Sequence, residues 1–324
     1  MKILIILPNW LGDALMATPA IELLAQRYPH AKFTFIGSHL SIAALKYHPQ
    51  CENAIVDETK KASSRLVATY KLAKSLPSFD FALTFRNQIH SSLLLRFTNT
   101  IITIARSSWH SQLLLSHTPK ISNQQHLVKQ YVALALTNED KFNYTIPNLT
   151  LHIEKEHYKK PTLGINAGAT YGSAKRWYPD KFAEVASQLS HRFDIIIFGG
   201  PSEVEVCKDI ENALRANNVT NYVNLAGKTD IKELCSKIGG CSLFITNDSG
   251  PMHVAAAYQV PTVAIFGPTK DKETSQWQNK KSQIVKLNME CAPCMKRECP
   301  LEHHECMKNI TASMVLEAVT MLGV

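Results

Sequence analysis

Short apolar runs alternate with amphipathic segments along the whole chain. In the first half, strands are predicted at Lys2–Leu7, Lys32–Ile36, Phe81–Phe85 and Thr100–Ile104, and helices at Asp13–Arg27 and Ser91–Phe97. In the second half, strands are predicted at Thr162–Asn166, Asp194–Phe198, Tyr222–Asn224, Leu243–Thr246 and Thr262–Phe266, and helices at Pro179–Leu189, Ser202–Ala216, Ile231–Ile238 and Pro251–Tyr258. Because strands separated by helices form parallel sheets with helices on both faces, the pattern predicts an α/β fold.

A polar stretch from Asn138 to Lys160 separates two repeats of this scheme. A chain of 324 residues is long enough for two domains, which we expect at residues 1–155 and 156–324. Two Rossmann-like parallel-sheet domains would face a cleft, where ligands meet the carboxyl ends of the strands. The last helix, Ala312–Leu322, is a candidate to cross back to the first domain.

The turn at residues 246–253, Thr-Asn-Asp-Ser-Gly-Pro-Met-His, carries the strongest functional signal. Pro251 suits the first position of a helix, which needs no amide donor. The amides of Ser249 and Gly250 would then form an anion site at the positive end of that helix. Ser-Gly is also an ordinary helix cap, but Asp248 and His253 flank the same turn. A carboxylate beside a phosphate site suits sugar hydroxyls, so the turn indicates a nucleotide-sugar.

Three other strand ends carry candidate side chains. Asp13 follows the first strand, either as a helix cap or as a general base for a hydroxyl. Lys175, with Thr170 in the same small-residue loop, follows the first strand of the second domain and can neutralise a diphosphate. Glu203 begins a helix after Gly199-Gly200, and could bind ribose hydroxyls or act only as a first-turn acid.

Four of the eight cysteines lie within sixteen residues, at Cys291, Cys294, Cys299 and Cys306. Disulfides are rare in a reducing compartment, and clustered thiols suit zinc or iron. The sequence therefore predicts a structural metal site here, with loose thiols or a redox-labile loop as the alternative. Catalysis itself is expected to require no cofactor.

The charge of the chain is uneven. Residues 1–155 contain 16 Lys and Arg against 9 Asp and Glu, whereas residues 156–324 contain 19 against 18. A basic first domain suits an anionic partner, and the absence of nucleic-acid motifs favours an anionic lipid over nucleic acid. The amino-terminal apolar run is too short for a signal peptide, so we expect a cytoplasmic protein that contacts an anionic membrane surface peripherally.

These motifs together resemble the ADP-heptose:lipopolysaccharide heptosyltransferases, glycosyltransferases of the GT-B fold. The resemblance rests on residues 9–13 (Asn-Trp-Leu-Gly-Asp), on Lys175-Arg176-Trp177 and on residues 246–257, and is stronger to the heptosyltransferase II branch. It implies that Asp13 is the catalytic base and that Lys175, with Thr170 nearby, binds the donor diphosphate. It also implies that Asp248 holds the heptose or helps to place the donor, and that Ser249 and Gly250 donate amides to phosphate.

The sequence thus predicts an inverting enzyme that moves L-glycero-D-manno-heptose from ADP-heptose to the first heptose of the lipopolysaccharide or lipooligosaccharide inner core. One alternative is a heptosyltransferase I acting on Kdo-lipid A. Two others come from different classes. A nucleotide-sugar epimerase or dehydrogenase would use the Tyr70-x3-Lys74 pair but lacks the glycine fingerprint, and a nucleic-acid-binding protein would use the cysteine cluster.

Overall fold

A computed structural model describes residues 1–137 and 143–324. The chain divides into two compact units, Met1–His152 and Ile153–Val324. The polar stretch expected to separate two domains begins in residues 138–142, which lie outside the described residues. None of the helices in the described ranges has the length and apolarity needed to cross a bilayer.

The first unit is built on a five-stranded sheet in the order β3-β2-β1-β4-β5. Its elements in chain order are β1 (Lys2–Ile6), α1 (Leu11–Met16), α2 (Thr18–Arg27), β2 (Lys32–Gly37), α3 (His39–Leu45), β3 (Cys51–Val56), α4 (Arg65–Ser75), β4 (Phe81–Thr84), α5 (Ile89–Phe97), β5 (Ile102–Ala105), α6 (Trp109–Leu114) and α7 (Leu127–Ala135). All strand pairs are parallel. The chain order reverses between β1 and β4, so this pair marks the switch point where open α/β sheets bind ligands.

The single helix expected at Asp13–Arg27 is two helices, α1 and α2. Pro19 explains the break, because it supplies no amide to a continuous helix but fits the first turn of a new one. The Thr18 hydroxyl donates to the carbonyl of Leu15 across the junction, at 2.7 Å. The short α1 therefore begins directly after the loop that follows β1, and it carries Asp13 in its first turn.

The second unit contains a six-stranded parallel sheet in the order β11-β10-β9-β6-β7-β8. Its elements are β6 (Thr162–Asn166), α8 (Pro179–Leu189), β7 (Asp194–Phe198), α9 (Val204–Ala216), β8 (Tyr222–Asn224), α10 (Ile231–Gly239), β9 (Leu243–Asn247), α11 (Gly250–Ala257), β10 (Thr262–Ile265), α12 (Asp271–Thr274), β11 (Ser282–Val285), α13 (Glu305–Lys308) and α14 (Ala312–Met321). Here the order reverses between β6 and β9.

The last helix, α14, packs against α8, β10 and β11. Its apolar side chains Ala312, Val315, Ala318 and Val319 are buried in the core of the second unit. The helix that was a candidate to cross back to the first domain therefore packs within the second unit.

Candidate functional site

The switch point of the second unit brings two of the predicted motifs together. Asn166 at the end of β6 pairs in register with Thr246 on β9. The loop of residues 167–178, named the donor loop below, follows β6, and the turn to α11 follows β9. Residues 246–253 and Lys175 therefore lie at one edge of one sheet, the usual ligand site of such folds.

The side chain of Ser249 does not cap α11. Ser249 stands at the N-cap in an extended conformation, with φ −152° and ψ 172°, and its side chain makes no capping hydrogen bond. Instead, its hydroxyl accepts from the side-chain Nδ2 of Asn166 at 3.3 Å and lies 3.3 Å from the Thr246 hydroxyl. A helix cannot pair its own first-turn amides, and the Ser249 hydroxyl does not accept from the first-turn amides of α11 either. The structure therefore differs from the simple cap that was the alternative interpretation.

Lys175 and Asp248 form a buried ion pair beside this turn. The Lys175 ammonium lies 2.6 Å from Oδ2 of Asp248 and donates to the Asp248 carbonyl at 3.3 Å. Their side chains are only 13% and 5% exposed. The Thr269 hydroxyl donates to the same carboxylate oxygen at 2.6 Å. Because an ammonium group has three N–H donors, these two contacts leave Lys175 one donor for an anionic ligand.

The donor loop is fixed to β9 by Asn247, a residue that the sequence analysis did not single out. Its Oδ1 accepts from the Trp177 amide at 3.1 Å, and its Nδ2 donates to the Ala167 carbonyl at 2.6 Å. Trp177 is buried, and its indole donates to the carbonyl of Ile310 at 3.0 Å. Both ends of the loop that carries Lys175 are therefore anchored.

The other predicted donor residues occupy different settings. Glu203 is buried, and its Oε2 accepts from the Gly200 amide at 2.8 Å. A Cβ atom on Gly168 would lie 2.0 Å from the Glu203 carboxyl carbon, so this carboxylate packs on the donor loop backbone and closes the turn after β7. Thr170 is exposed in the donor loop, and His253 is buried in α11.

In the first unit, Asp13 lies next to Tyr131 of α7. Burial and the negative charge of Asp13 raise the pKa of the Tyr131 hydroxyl well above its usual value, while Arg106 acts in the opposite direction. Asp13 follows β1 at the switch point of this sheet, where a substrate hydroxyl would be expected. Tyr131 is a neighbour that sequence alone did not reveal, because α7 lies far along the chain.

Arg86, directly after β4, fixes the start of the loop that leads to Asp13. Its Nε donates to the Leu7 carbonyl at 2.6 Å, and its Nη1 donates to Asp57 at 2.7 Å. Burial would raise the pKa of Asp57, but hydrogen bonds from Thr59 and Arg86 and the charge of Arg86 hold it below its usual value. Arg86 and Asp57 are thus a buried pair that ties together the ends of β1, β3 and β4.

Three nitrogen atoms around this pair lack hydrogen-bond partners among the described residues. They are Arg65 Nε, Arg86 Nη2 and His90 Nδ1, and all three atoms are buried. Burial and then the positive charge of Arg65 lower the pKa of His90, while Asp57 acts in the opposite direction. Burial lowers the pKa of Arg86 most, and the charge of Arg65 also acts to lower it. Only Arg86 pairs with Asp57 among the described residues, so the cluster has positive charge available for an anionic group.

The four clustered cysteines line one pocket together with His303 and His304. Burial and the neighbouring thiols raise the pKa of the Cys306 thiol to about 11. Their sulfur donors suit zinc or iron. Among the described residues, however, no three of these side chains bring their ligand atoms within 4.8 Å of one another. Metal binding would therefore have to draw the sulfurs together.

Glu22, His48 and His152 do bring three ligand atoms within 4.8 Å. However, His48 Nδ1 accepts from the Gln50 amide at 3.1 Å. The proton of the neutral ring must then be on Nε2, the atom that faces Glu22 at 3.8 Å. At that distance His48 Nε2 makes no hydrogen bond to the carboxylate, and it has no other partner among the described residues. Because this nitrogen carries the proton of the neutral ring, it does not suit a metal ion.

Two Rossmann-like parallel sheets, each with polar side chains at its switch point, are the architecture of the GT-B glycosyltransferases. The family model for glycosyltransferase family 9 (heptosyltransferase) matches residues 69–305. The chain is 38% identical to lipooligosaccharide heptosyltransferase 2 of Campylobacter jejuni serotype O:2, over 98% of this chain and 97% of that protein. It is 28% identical to lipopolysaccharide heptosyltransferase 2 of Escherichia coli K12, over 99% and 98% of the two chains.

A solved structure of E. coli ADP-heptose lipopolysaccharide heptosyltransferase II superposes with a TM-score of 0.84, at 26% identity, covering 99% of this chain and 98% of that one. The chain belongs to glycosyltransferase family 9, the heptosyltransferases. The predicted family, enzyme class and fold class are thereby confirmed. The roles of individual site residues and the metal site stay predictions.

Proposed function

We propose that this chain transfers L-glycero-D-manno-heptose from ADP-heptose to the first heptose of the lipopolysaccharide or lipooligosaccharide inner core, with inversion. The observation that carries the proposal is the Lys175–Asp248 pair beside the uncapped first turn of α11. The acceptor assignment is supported by full-length relatives that are heptosyltransferase 2 enzymes, at 38%, 29% and 28% identity. Kdo-lipid A, the type I acceptor, is the alternative.

On the donor side, Lys175 and the amides of Ser249 and Gly250 would bind the diphosphate. They would also stabilise the negative charge that develops on ADP as it leaves. Asp248 holds the Lys175 ammonium in place and would offer its second oxygen to a hydroxyl of the heptose. Further donor contacts are proposed for Thr170, Glu203 and His253. The chain itself supplies the charges for departure of ADP, so no metal is assigned a catalytic step.

On the acceptor side, Asp13 would remove the proton from the attacking hydroxyl of the acceptor heptose. The oxygen then forms a bond to the anomeric carbon of the donor while the bond from that carbon to the diphosphate breaks. The electron pair of the broken bond leaves with ADP, and the proton stays on Asp13. The cluster of Arg65, Arg86 and His90 would bind an anionic group of the acceptor, such as a carboxylate or phosphate.

We further propose that the enzyme works in the cytoplasm at the inner membrane surface. The exposed face of α4 supports this location, because Leu66, Val67 and Tyr70 are each about half exposed there. Lys71 and Lys74 are exposed on the same helix. An apolar and basic helix face suits an anionic lipid surface.

The cysteine cluster is proposed to hold one structural zinc or iron ion through Cys291, Cys294, Cys299 and Cys306. The support is that all four thiols line one pocket and that thiolates are preferred ligands of zinc and iron. Elemental analysis of the purified protein, compared with a variant in which Cys294 and Cys299 are replaced by Ser, tests this directly. One equivalent of metal that disappears in the variant supports the site, and metal-free wild-type protein contradicts it.

The proposed reaction is tested by incubating the protein with ADP-heptose and either of two acceptors, one with a single heptose and one ending in Kdo. Mass spectrometry should show a gain of one heptose only on the first acceptor. A gain only on the Kdo acceptor would instead assign the type I reaction, and no gain on either would refute heptosyl transfer to the inner core.

A further inference from the structure

We infer that residues 291–306, here named the cysteine loop, position Lys175 through His304, and that this contact sets the affinity of the nucleotide site. The inference rests on the proposed function only in that Lys175 binds the diphosphate of ADP. His304 is a positioning residue, since it contacts the donor loop on both sides of Lys175 and is not itself assigned a contact with the ligand.

His304 joins two points of the donor loop. Its Nε2 lies 2.9 Å from the Ala174 carbonyl, and its Nδ1 lies 3.1 Å from the Tyr178 hydroxyl. A carbonyl can only accept, so Nε2 must carry the proton of a neutral ring, and Nδ1 is then free to accept from Tyr178. One imidazole thus connects the residue before Lys175 to a residue three positions after it.

Two further hydrogen bonds join the same loops. The Ala174 amide donates to the Arg297 carbonyl at 3.0 Å, and the Tyr171 hydroxyl donates to the Met295 carbonyl at 2.9 Å. Both backbone polar groups of Ala174 are therefore bound to the cysteine loop. Ala174 is itself buried, and Lys175 is the next residue.

The backbones of the two loops also touch without a side chain between them. A Cβ atom on Gly172 would lie 2.2 Å from the carbonyl oxygen of Arg297, a contact that no real Cβ could make. The Arg297 guanidinium lies 5.4 Å from the ring centre of Tyr171, and the Lys175 ammonium lies 4.8 Å from the same ring. Any side chain at position 172 must therefore push the donor loop away from the cysteine loop.

His304 itself has a left-handed backbone conformation, with φ 53° and ψ 27°. Non-glycine residues keep this conformation only where surrounding contacts fix it. Its two ring contacts with the donor loop supply such a constraint. The cysteine loop and the donor loop are thus expected to restrict each other's conformation. Lys175 lies in the restricted part of the donor loop, so its position relative to a ligand depends on this contact.

The test compares His304→Ala, His304→Gln and Gly172→Ala with a control, His191→Gln, which changes an exposed histidine of the same unit. Hydrogen–deuterium exchange of residues 170–178 measures loop order without ligand, and calorimetric titration measures ADP affinity. We expect His304→Ala to speed exchange and to weaken ADP binding about tenfold, the effect of losing one to two hydrogen bonds. His304→Gln, whose amide can still donate to Ala174, should recover most of both effects.

Gly172→Ala should reproduce the faster exchange and weaker ADP binding although it removes no polar group. Steady-state kinetics should show a higher KM for ADP-heptose in His304→Ala with a smaller change in kcat. Unchanged exchange and an ADP Kd within about twofold of wild type in a folded His304→Ala protein would overturn the inference. If wild-type protein binds ADP but transfers no heptose, the proposed function fails while the exchange and affinity results still decide the role of His304.

Discussion

Replacing Lys175 by Met separates two roles of one ammonium group. In the structure it neutralises Asp248, which is 4% exposed, and it is proposed to bind the donor diphosphate. Removing one partner of a buried ion pair costs about 3 kcal/mol or more. That is roughly 6–12 °C in Tm for a unit of this size. The lost contact to phosphate should also weaken ADP binding by about 1.5–3 kcal/mol, which raises the Kd for ADP about 10- to 150-fold.

The double variant Lys175→Met/Asp248→Asn distinguishes the two roles. Without the buried negative charge of Asp248, most of the stability should return, because the neutral amide can still accept from Thr269. ADP affinity should not return, since the cation for the diphosphate is still missing. The four proteins to compare are the wild type, the two single variants and the double variant. Thermal unfolding measures their stability, and calorimetric titration measures their affinity for ADP. Recovery of ADP binding in the double variant would refute a direct contact between Lys175 and phosphate.

Two further predictions concern the first unit. Arg65→Gln removes the arginine whose charge acts on Arg86 and His90, so the KM for the acceptor should rise about tenfold while the KM for ADP-heptose stays constant. Lys120→Gln, at an exposed lysine of the same unit with no assigned role, is the control, and an equal effect of both changes would argue for general charge and against a site. Burial lowers the pKa of His48, with Glu22 acting in the opposite direction. A folded-state pKa below the usual 6.5 gives stability that is present above pH 6.5 and is lost as the pH falls. The free energy of unfolding should therefore decrease from pH 7 to pH 5, less steeply in His48→Gln than in wild type, and identical slopes would contradict this.

Hydrophobic patterning predicted the buried centre of each sheet well. The central strands β6 and β7 and the helix α8 have the predicted bounds, because apolar runs end at turn residues there. The short edge strand β8 also has the predicted bounds. The pattern missed β3, Cys51–Val56, since this edge strand is largely exposed and its sequence is half polar. It also missed α4, whose exposed face carries Leu66, Val67 and Tyr70 where a surface helix would normally be polar.

The candidate site was predictable as a set of residues but not as a set of contacts. The local sequence predicted that Asp248, Ser249 and Gly250 lie in a strand-to-helix turn, because proline favours the first turn of a helix and glycine is common in tight turns. It could not show that Asp248 binds Lys175, which is 73 residues away, or that Thr269 shares the same carboxylate. The contact of the cysteine loop with the donor loop has no sequence signature, since it depends on backbone carbonyls.

Asp13 is proposed to be the base for a transfer whose donor is bound by the second unit. Single-turnover heptosyl transfer by Asp13→Asn at saturating ADP-heptose and one-heptose acceptor tests this role, with ADP affinity measured on the same protein. We expect an unchanged ADP Kd and a rate at least about a hundredfold below wild type, the usual contribution of a general base. Transfer at a rate close to that of wild type would contradict this role.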